Sequence, residues 1–374
     1  MSKSPGQESG GDPARRVAIA CQGGGTRTAF TAGVLTALLP QLPMAGYQVA
    51  ALSGSAGGAI CALLAWSALV LERRGGELEH SLRALEGFWT DNAARMPWEH
   101  AWNDWWMALQ SLHTNGTVPE LRLSPHAPAA AAVAEMLSRS APRPEFFDLR
   151  KLLQMHVPAE LLGQRVGEPR LLVSAVDVLN GELRVFDSLA GDISLEAILA
   201  SSALPSLFPA QRVGDGLYWD GQLSQNPPVH DLVSVPSELP KPDELWVIPV
   251  NVRERPTEPK ALQEIEDRRS ELAGNLSLYQ ELRFIENVNR WLATGCMASP
   301  GHKEITVRMI EMVPQPWDAL GYASKLNRCP SLLARLYQHG LARGKHFAEG
   351  LPAAPAGQQG TWAPSHATPS LGSP

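Results

Sequence analysis

The segment from Val17 to Leu71 most constrains the fold, because it contains no Asp or Glu and Arg27 is its only formal charge. Two predicted strands, Arg16–Cys21 and Tyr47–Leu52, are each followed by a glycine-rich turn and a helical stretch. Strands that are apolar on both faces fit a sheet that helices cover on both sides. The repeated strand–turn–helix order therefore predicts an α/β fold.

The rest of the chain extends this pattern. Further predicted strands cover Arg170–Val178, Leu183–Phe186 and Leu245–Val250. Beyond Arg253, apolar residues three and four positions apart continue to Leu292 and predict a long amphipathic helix.

Composition divides the chain into five predicted parts. We expect a disordered N-terminal segment (1–15), a main α/β domain (16–252) and a helical region packed on its core (253–350). Residues 76–165 are more polar and Trp-rich, and we interpret them as a helical insertion or cap within the main domain. The Pro/Ala/Ser/Gly tail, 351–374, has too few apolar residues to fold.

Charge and cysteine content exclude several classes of function. Lys and Arg total 32 against 38 Asp and Glu, a net charge of -6, so we expect no nucleic-acid partner. The four cysteines are far apart, which argues against a disulfide framework or a structural zinc site and favours a reducing compartment.

The sequence also predicts where the protein is found. The polar N-terminus lacks the apolar region of a signal peptide, and the charge-free apolar run Ile60–Leu71 is too short to span a bilayer. We expect a cytoplasmic protein that is soluble or binds a membrane surface peripherally.

The triple glycine Gly23-Gly24-Gly25 lies between a strand and a helix, where free backbone amides favour an anion. A plain tight turn is the alternative. No Gly-Lys-Ser/Thr closes the loop, which excludes a P-loop. A dinucleotide site lacks both its third glycine, replaced by Thr28, and an acidic residue after the second strand. The remaining interpretation is an anion-binding loop suited to an oxyanion.

Ser55 occupies a second turn between a strand and a helix, in Ser53-Gly54-Ser55-Ala56-Gly57-Gly58. Small residues around a serine at such a turn are typical of a nucleophile elbow, which exposes the hydroxyl. A helix N-cap is the alternative.

Two later segments complete the pattern. Asp220-Gly221 follows an apolar-aromatic stretch and precedes the rigid Asn226-Pro227-Pro228, while Ala200–Pro209 is a helix end broken by prolines. Each element alone is weak evidence, because Asp-Gly is also a common turn.

Together these elements resemble the patatin-like phospholipase family over residues 16–250. Glu271–Glu281 is similar to a C-terminal region in a bacterial subset of the family. The resemblance implies a three-layer α/β/α fold with a mostly parallel central sheet, a helical Trp-rich insertion and C-terminal helices. It also implies hydrolysis of lipid or other acyl esters with neither a metal nor an organic cofactor.

The resemblance implies a Ser–Asp dyad. Ser55 is then the nucleophile and Asp220 the general base, and the amides of Gly23, Gly24 and Gly25 form the oxyanion hole. Arg27 has two candidate roles, orienting this loop or attracting an anionic head group.

Two other functions stay open. An α/β-hydrolase triad would add a late histidine, His339 or His346, to Ser55 and Asp220. A catalytically silent lipid-binding or scaffold protein would keep the fold without the reaction.

A group of tryptophans, Trp98, Trp102, Trp105 and Trp106, falls on one helical face. The simpler interpretation is a core stripe, and the functional one is a lipid-facing cap.

Overall fold

The computed structural model describes residues 14–114, 125–205, 207–236, 239–255, 257–260, 262–296, 302–313 and 322–352. The segments predicted to be disordered, 1–15 and 351–374, fall almost wholly outside these ranges.

An eight-stranded sheet lies at the centre of the described residues. Its strands are β1 (Arg15–Cys21), β2 (Tyr47–Gly54), β3 (Arg170–Asp177), β4 (Leu183–Asp187), β5 (Gln211–Val213), β6 (Gly216–Asp220), β7 (Glu244–Ile248) and β8 (Thr306–Met309). Hydrogen-bonded neighbours follow the path β5-β6-β3-β2-β1-β7-β8, in which β6 and β2 pair with successive parts of one edge of β3, and β4 pairs with the other edge. The pairs among β1, β2, β3, β7 and β8 are parallel, and those that involve β4, β5 and β6 are antiparallel.

Helices cover both faces of this sheet. They are α1 (Ala29–Leu38), α2 (Gly57–Arg73), α3 (Leu78–Asn92), α4 (Pro97–Thr114), α5 (Pro128–Ser140), α6 (Leu149–His156), α7 (Leu195–Ser201), α8 (His230–Val233), α9 (Leu262–Ala293) and α10 (Pro330–Glu349). None of those in the described ranges combines the length and the hydropathy that a membrane span requires.

Alternate residues of β1 separate two hydrophobic cores. Val17 and Ile19 join a core with α1, α2, α3 and α10, whereas Ala18 and Ala20 join a second core with α8 and α9. This alternation is the two-residue period of a strand that is buried on both faces. The predicted three-layer α/β/α fold with a mostly parallel sheet is confirmed.

The helix predicted beyond Arg253 forms as α9, but the face that it buries changes along its length. Its second half packs apolar residues such as Leu278 and Leu282 into the core, as expected. In its first half the apolar residues are exposed (Leu262, Ile265, Leu272 and Leu276), while Asp267, Glu271 and Asn275 are buried. The apolar spacing therefore indicated the helix but not the face that its first half buries, because this half of α9 lies against polar groups rather than the core.

The tryptophans of α4 do not form a core stripe. None of the four belongs to either hydrophobic core, and Trp105 is 53% exposed. They pack instead in a peripheral aromatic cluster, in which Trp98 stacks on Phe147 with ring centroids 5.4 Å apart. Among the α4 side chains that the structure describes, the fully buried one is Glu99, which accepts a hydrogen bond from Arg143.

The first and last helices of the large core touch through glycine. A Cβ atom at Gly33 of α1 would lie 2.1 Å from the Tyr337 carbonyl oxygen, and one at Gly340 of α10 would lie 2.0 Å from the Phe30 carbonyl oxygen. Neither backbone can accept a side chain without moving, so α10 docks on α1 only because both positions are glycine.

We therefore expect Gly340→Ala to lower the free energy of unfolding by about 1–3 kcal/mol, the usual cost of overpacking. Urea denaturation of purified protein measures the change. Gly350→Ala is the matched control, since a Cβ there makes ordinary contacts at 3.5 Å or more. Equal denaturation midpoints for the two variants would contradict this account of the α1–α10 contact.

Candidate active site

Ser55 lies at a strained turn between β2 and α2. The next residue, Ala56, has φ 49°, the single positive φ among the described non-glycine residues. Its N–H donates to Ser201 Oγ at 3.0 Å, which fixes the turn against the end of α7. A Cβ at Gly54 would lie 2.5 Å from the Gly58 backbone, so the turn needs glycine. Strain of this kind persists only where the surrounding contacts hold it.

The triple glycine forms a loop at the end of β1. Gly23 N–H donates to Asn226 Oδ1 at 2.7 Å. Gly25 has φ +59° and begins a short 3₁₀ helix, Gly25–Thr28. Within the described ranges, the amides of Gly24 and Gly25 have no hydrogen-bond acceptor. Two of the three predicted oxyanion donors are therefore available to an anion, and the third is occupied.

Asn226 joins this loop to α9. Its Nδ2 donates to the Gly274 carbonyl at 3.0 Å, and its backbone N–H donates to Ser277 Oγ at 3.0 Å. Gln22 makes a parallel connection, because its Nε2 donates to the Gly274 carbonyl and to Asn275 Oδ1. The segment Glu271–Glu281, to which the sequence assigned no chemistry, thus holds the glycine loop in place.

Asp220 is the last residue of β6 and is 2% exposed. Its Oδ1 accepts a hydrogen bond from Gln222 N–H at 2.8 Å. Burial raises the pKa of this carboxyl to about 7, although the bonds from Gln222 and the charge of Lys325 act in the opposite direction.

The sheet register brings Ser55 and Asp220 to one edge of β3. On that edge, β2 ends with Gly54 opposite Val173, and β6 ends with Asp220 opposite Ala175. β4 pairs with β3 along both of these stretches and therefore occupies the other edge. β2 therefore ends beside the residue before Ser174, and β6 ends beside the residue after it.

The hydroxyl of Ser55 bonds to this intervening residue. Ser55 Oγ lies 2.6 Å from Ser174 Oγ, and it also donates to the Gln225 carbonyl at 2.7 Å. It makes no direct hydrogen bond to the Asp220 carboxylate, which accepts its two hydrogen bonds from Gln222. The structure thus places Ser55 and Asp220 at neighbouring positions along one edge of β3, with no hydrogen bond between their side chains.

Two buried cations lie at the glycine loop. Arg27 is 1% exposed, and its Nε donates to Ser324 Oγ at 3.0 Å. Lys325 is also buried, and burial lowers its pKa to about 8. Because Arg27 is buried, of its two candidate roles we favour orienting the glycine loop. A residue that attracts an anionic head group would be expected at the surface.

The candidate histidines lie apart from these groups. Among the described residues, no histidine hydrogen-bonds Ser55 or Asp220. His339 packs edge-on against Phe30, with ring centroids 5.3 Å apart. His, Cys, Asp and Glu side chains form no cluster of three or more suited to a metal ion in the described ranges.

Sequence reasoning missed three residues around the predicted site: Ser174 bonds to Ser55, Ser201 bonds to Ala56, and the Lys325 backbone lies against Gly25. Ser174, Ser201 and Lys325 lie on segments whose local sequence resembles ordinary strand, helix and loop. Of these three, only Ser201 could have been identified from the sequence, because it belongs to the small-residue block Ala200–Pro209.

We expect Asn226→Ala to destabilise the protein by about 1–3 kcal/mol, because the buried Gly23 amide loses its acceptor. Hydrogen exchange at Gly23 should accelerate with it, measured by NMR or mass spectrometry. Asn180→Ala is the control, since this side chain accepts one bond in an exposed turn. Unchanged exchange at Gly23 in Asn226→Ala would show that this bond does not hold the loop.

Comparison with known proteins identifies the family. The family profile "Patatin-like phospholipase" matches residues 19–233. No curated protein matches the sequence. Among solved structures, VipD from Legionella pneumophila is 13% identical with a TM-score of 0.39, covering 91% of this chain and 68% of VipD.

The heterodimeric complex ExoU-SpcU, from the type III secretion system of Pseudomonas aeruginosa, is 16% identical to this protein with a TM-score of 0.28. That match covers 91% of this chain and 52% of the other, so this chain spans about half the length of that protein. The family match extends over more than half of the sequence and includes the glycine loop, the serine turn and Asp220. The chain belongs to the patatin-like phospholipase family, and it is a lipid acyl hydrolase.

Proposed function

We propose that this protein cleaves carboxylic ester bonds of phospholipids through a Ser55–Asp220 dyad and an acyl-enzyme intermediate. The observation that carries the proposal is the shared edge of β3, where a serine on a strained turn and a buried carboxylate flank Ser174 beside the glycine loop.

The reaction proceeds in two halves. Ser55 Oγ attacks the ester carbonyl carbon, its proton passes to Asp220, and the tetrahedral oxyanion accepts hydrogen bonds from Gly24 and Gly25. Collapse breaks the ester bond, and the leaving alcohol takes the proton from Asp220. Water then attacks the acyl-Ser55 carbonyl while Asp220 takes a proton from the water. Collapse releases the fatty acid and returns that proton to Ser55.

The pKa of Asp220 suits this task. A carboxylate with a pKa of about 7 is a stronger base than one with a pKa near 4, and this pKa is matched to neutral pH. It therefore takes the proton of Ser55 more readily. The base acts in its ionised form, so we expect activity to rise as the pH increases through about 7.

Two rearrangements precede the chemistry. Ser55 is fully buried, and its hydroxyl points to Ser174 Oγ and the Gln225 carbonyl. In our proposal the hydroxyl turns towards Asp220, and the segments that cover Ser55 move aside when the ester binds.

We expect Ser55→Ala to abolish labelling by an active-site-directed fluorophosphonate and to lower phospholipid hydrolysis by at least about 10³-fold. Asp220→Asn should lower both, because the serine loses its base. Ser53→Ala is a matched control: its buried hydroxyl has no hydrogen-bond partner among the described residues, so labelling should persist.

The same assay separates the other two functions. A catalytically silent scaffold would leave the unchanged protein unlabelled. A Ser-Asp-His triad would require His339 or His346, so near-normal turnover after both are replaced by Ala is the result that the dyad predicts.

We further propose that the aromatic cluster of α4 touches the lipid surface. Trp105 is 53% exposed, and beside the cluster lies an apolar pocket of about 270 Å³ between Trp98 and the Met136–Pro142 segment. Tryptophan favours the membrane interface, since its ring is apolar and its N–H is polar.

Trp105→Ala should therefore weaken binding to phospholipid vesicles by roughly tenfold in sedimentation assays, while hydrolysis of a soluble ester stays unchanged. Trp291→Ala is the matched control, because Trp291 of α9 is 43% exposed. Equal vesicle binding by both variants, or loss of folding in Trp105→Ala, would argue against a lipid-facing cap.

A further inference from the structure

Three oxygen atoms lie in mutual contact at the candidate nucleophile. Ser55 Oγ and Ser174 Oγ are 2.6 Å apart, and they lie 2.7 Å and 2.8 Å from the Gln225 carbonyl oxygen. Each of these distances is that of an O–H···O hydrogen bond. Both hydroxyls are buried, since Ser55 is 0% and Ser174 is 1% exposed. The three atoms therefore form a closed triangle of hydrogen-bonding groups.

The turn that follows Asp220 builds this triangle. A Cβ atom at Gly221 would lie 2.5 Å from Ser174 Oγ and 2.3 Å from the Ser174 carbonyl oxygen, so this turn packs directly against β3. The same turn then brings the Gln225 carbonyl onto the two hydroxyls. Its two ends thus hold the candidate base and the acceptor that now binds the nucleophile.

The triangle has three contacts but only two protons to fill them. Each hydroxyl carries one proton, and the carbonyl oxygen carries none. The shortest contact needs one of the two, because two hydroxyl oxygens 2.6 Å apart repel without a proton between them. One serine then donates to the other, which donates to Gln225. Either hydroxyl can therefore supply the proton that the Gln225 carbonyl accepts.

This exchange matters when Ser55 turns towards Asp220. Ser174 Oγ already lies 2.8 Å from the Gln225 carbonyl, so it can take over that hydrogen bond without moving far. In the part of the chain that the structure describes, no donor other than the two hydroxyls reaches this carbonyl. Without the Ser174 hydroxyl, the turn of Ser55 would leave the carbonyl unpaired, which is costly inside a protein.

We propose that Ser174 is a positioning residue for the acylation half of the reaction. By taking over the hydrogen bond to the Gln225 carbonyl, it frees the Ser55 hydroxyl to turn to Asp220. The inference rests on the proposed Ser55–Asp220 dyad. No covalent bond to Ser174 forms or breaks, since only hydrogen bonds are exchanged.

The role of Ser174 is confined to acylation. Once Ser55 carries the acyl group, its oxygen has no proton and no longer donates to Gln225. Loss of the Ser174 hydroxyl then leaves the carbonyl unpaired both before and during the attack of water. Because the two states are affected equally, the barrier to deacylation does not change.

The test measures formation and decay of the acyl-enzyme separately. The protein is mixed with an ester whose acyl group is hydrolysed slowly, the reaction is quenched at successive times, and mass spectrometry quantifies acyl-Ser55. We expect Ser174→Ala to slow formation roughly tenfold, the effect of one unpaired acceptor, and to leave the rate of decay unchanged. Ser174→Cys has a similar shape but a weaker donor, so its formation rate should fall between the two. If Ser174→Ala does not fold, Ser174→Cys carries the same prediction with a smaller slowing.

Ser224→Ala is the matched control. The Ser224 hydroxyl lies in the same turn, but it donates to the Gly221 carbonyl at 3.0 Å and has no hydrogen bond to Ser55 or Gln225. Both rates should stay as they are in the unchanged protein.

Three results would overturn the inference, and they are distinguishable. Equal slowing of formation and decay in Ser174→Ala would make Ser174 merely structural. Formation that is unchanged or faster would show that Ser55 turns without this exchange. Both of these results leave the proposed dyad standing. If the unchanged protein hydrolyses the ester without ever carrying an acyl group on Ser55, the proposed function fails and the inference fails with it.

Discussion

The side-chain amide of Asn226 is the contact on which the candidate site depends. It accepts a hydrogen bond from Gly23 N–H and donates one to the Gly274 carbonyl, so it ties the end of β1 to α9. Both groups are buried, where an unpaired amide is costly. Because Asn226 occupies the first amide of the loop, the proposed oxyanion hole consists of the Gly24 and Gly25 amides. The C-terminal helices therefore take part in building the site.

The second constraint is the register along β3. A parallel strand, β2, and an antiparallel strand, β6, pair with successive parts of one edge of β3. The chain leaves β2 at Ser55, and β6 ends at Asp220, so the two residues flank Ser174 although they are far apart in sequence. The Ser174 hydroxyl bonds to Ser55 in the closed arrangement, and the proposed reaction begins when that hydrogen bond is exchanged for one to Asp220.

The features that could be predicted from the sequence are those that a local pattern of residues determines. Apolar blocks predicted β1, β2, β3 and β7. Small residues predicted the turn at Ser55, because a close backbone approach excludes side chains. Three short strands, β5, β6 and β8, escaped prediction, since their pairing and not their composition defines them. Lys325 reaches the site only through tertiary packing. The exposed apolar face of α9 also could not be predicted, because periodicity does not tell which face meets polar neighbours.

The central claim is that Ser55 carries the acyl group during turnover. The most direct test mixes the unchanged protein with an ester whose acyl group is hydrolysed slowly from the enzyme and quenches the reaction at short times. Mass spectrometry then examines the tryptic peptide between Arg27 and Arg73. The account predicts an added acyl mass on Ser55 that forms before steady state and decays as fatty acid appears. An acyl group on another side chain, or continued hydrolysis with no acylated peptide at any time, would contradict it.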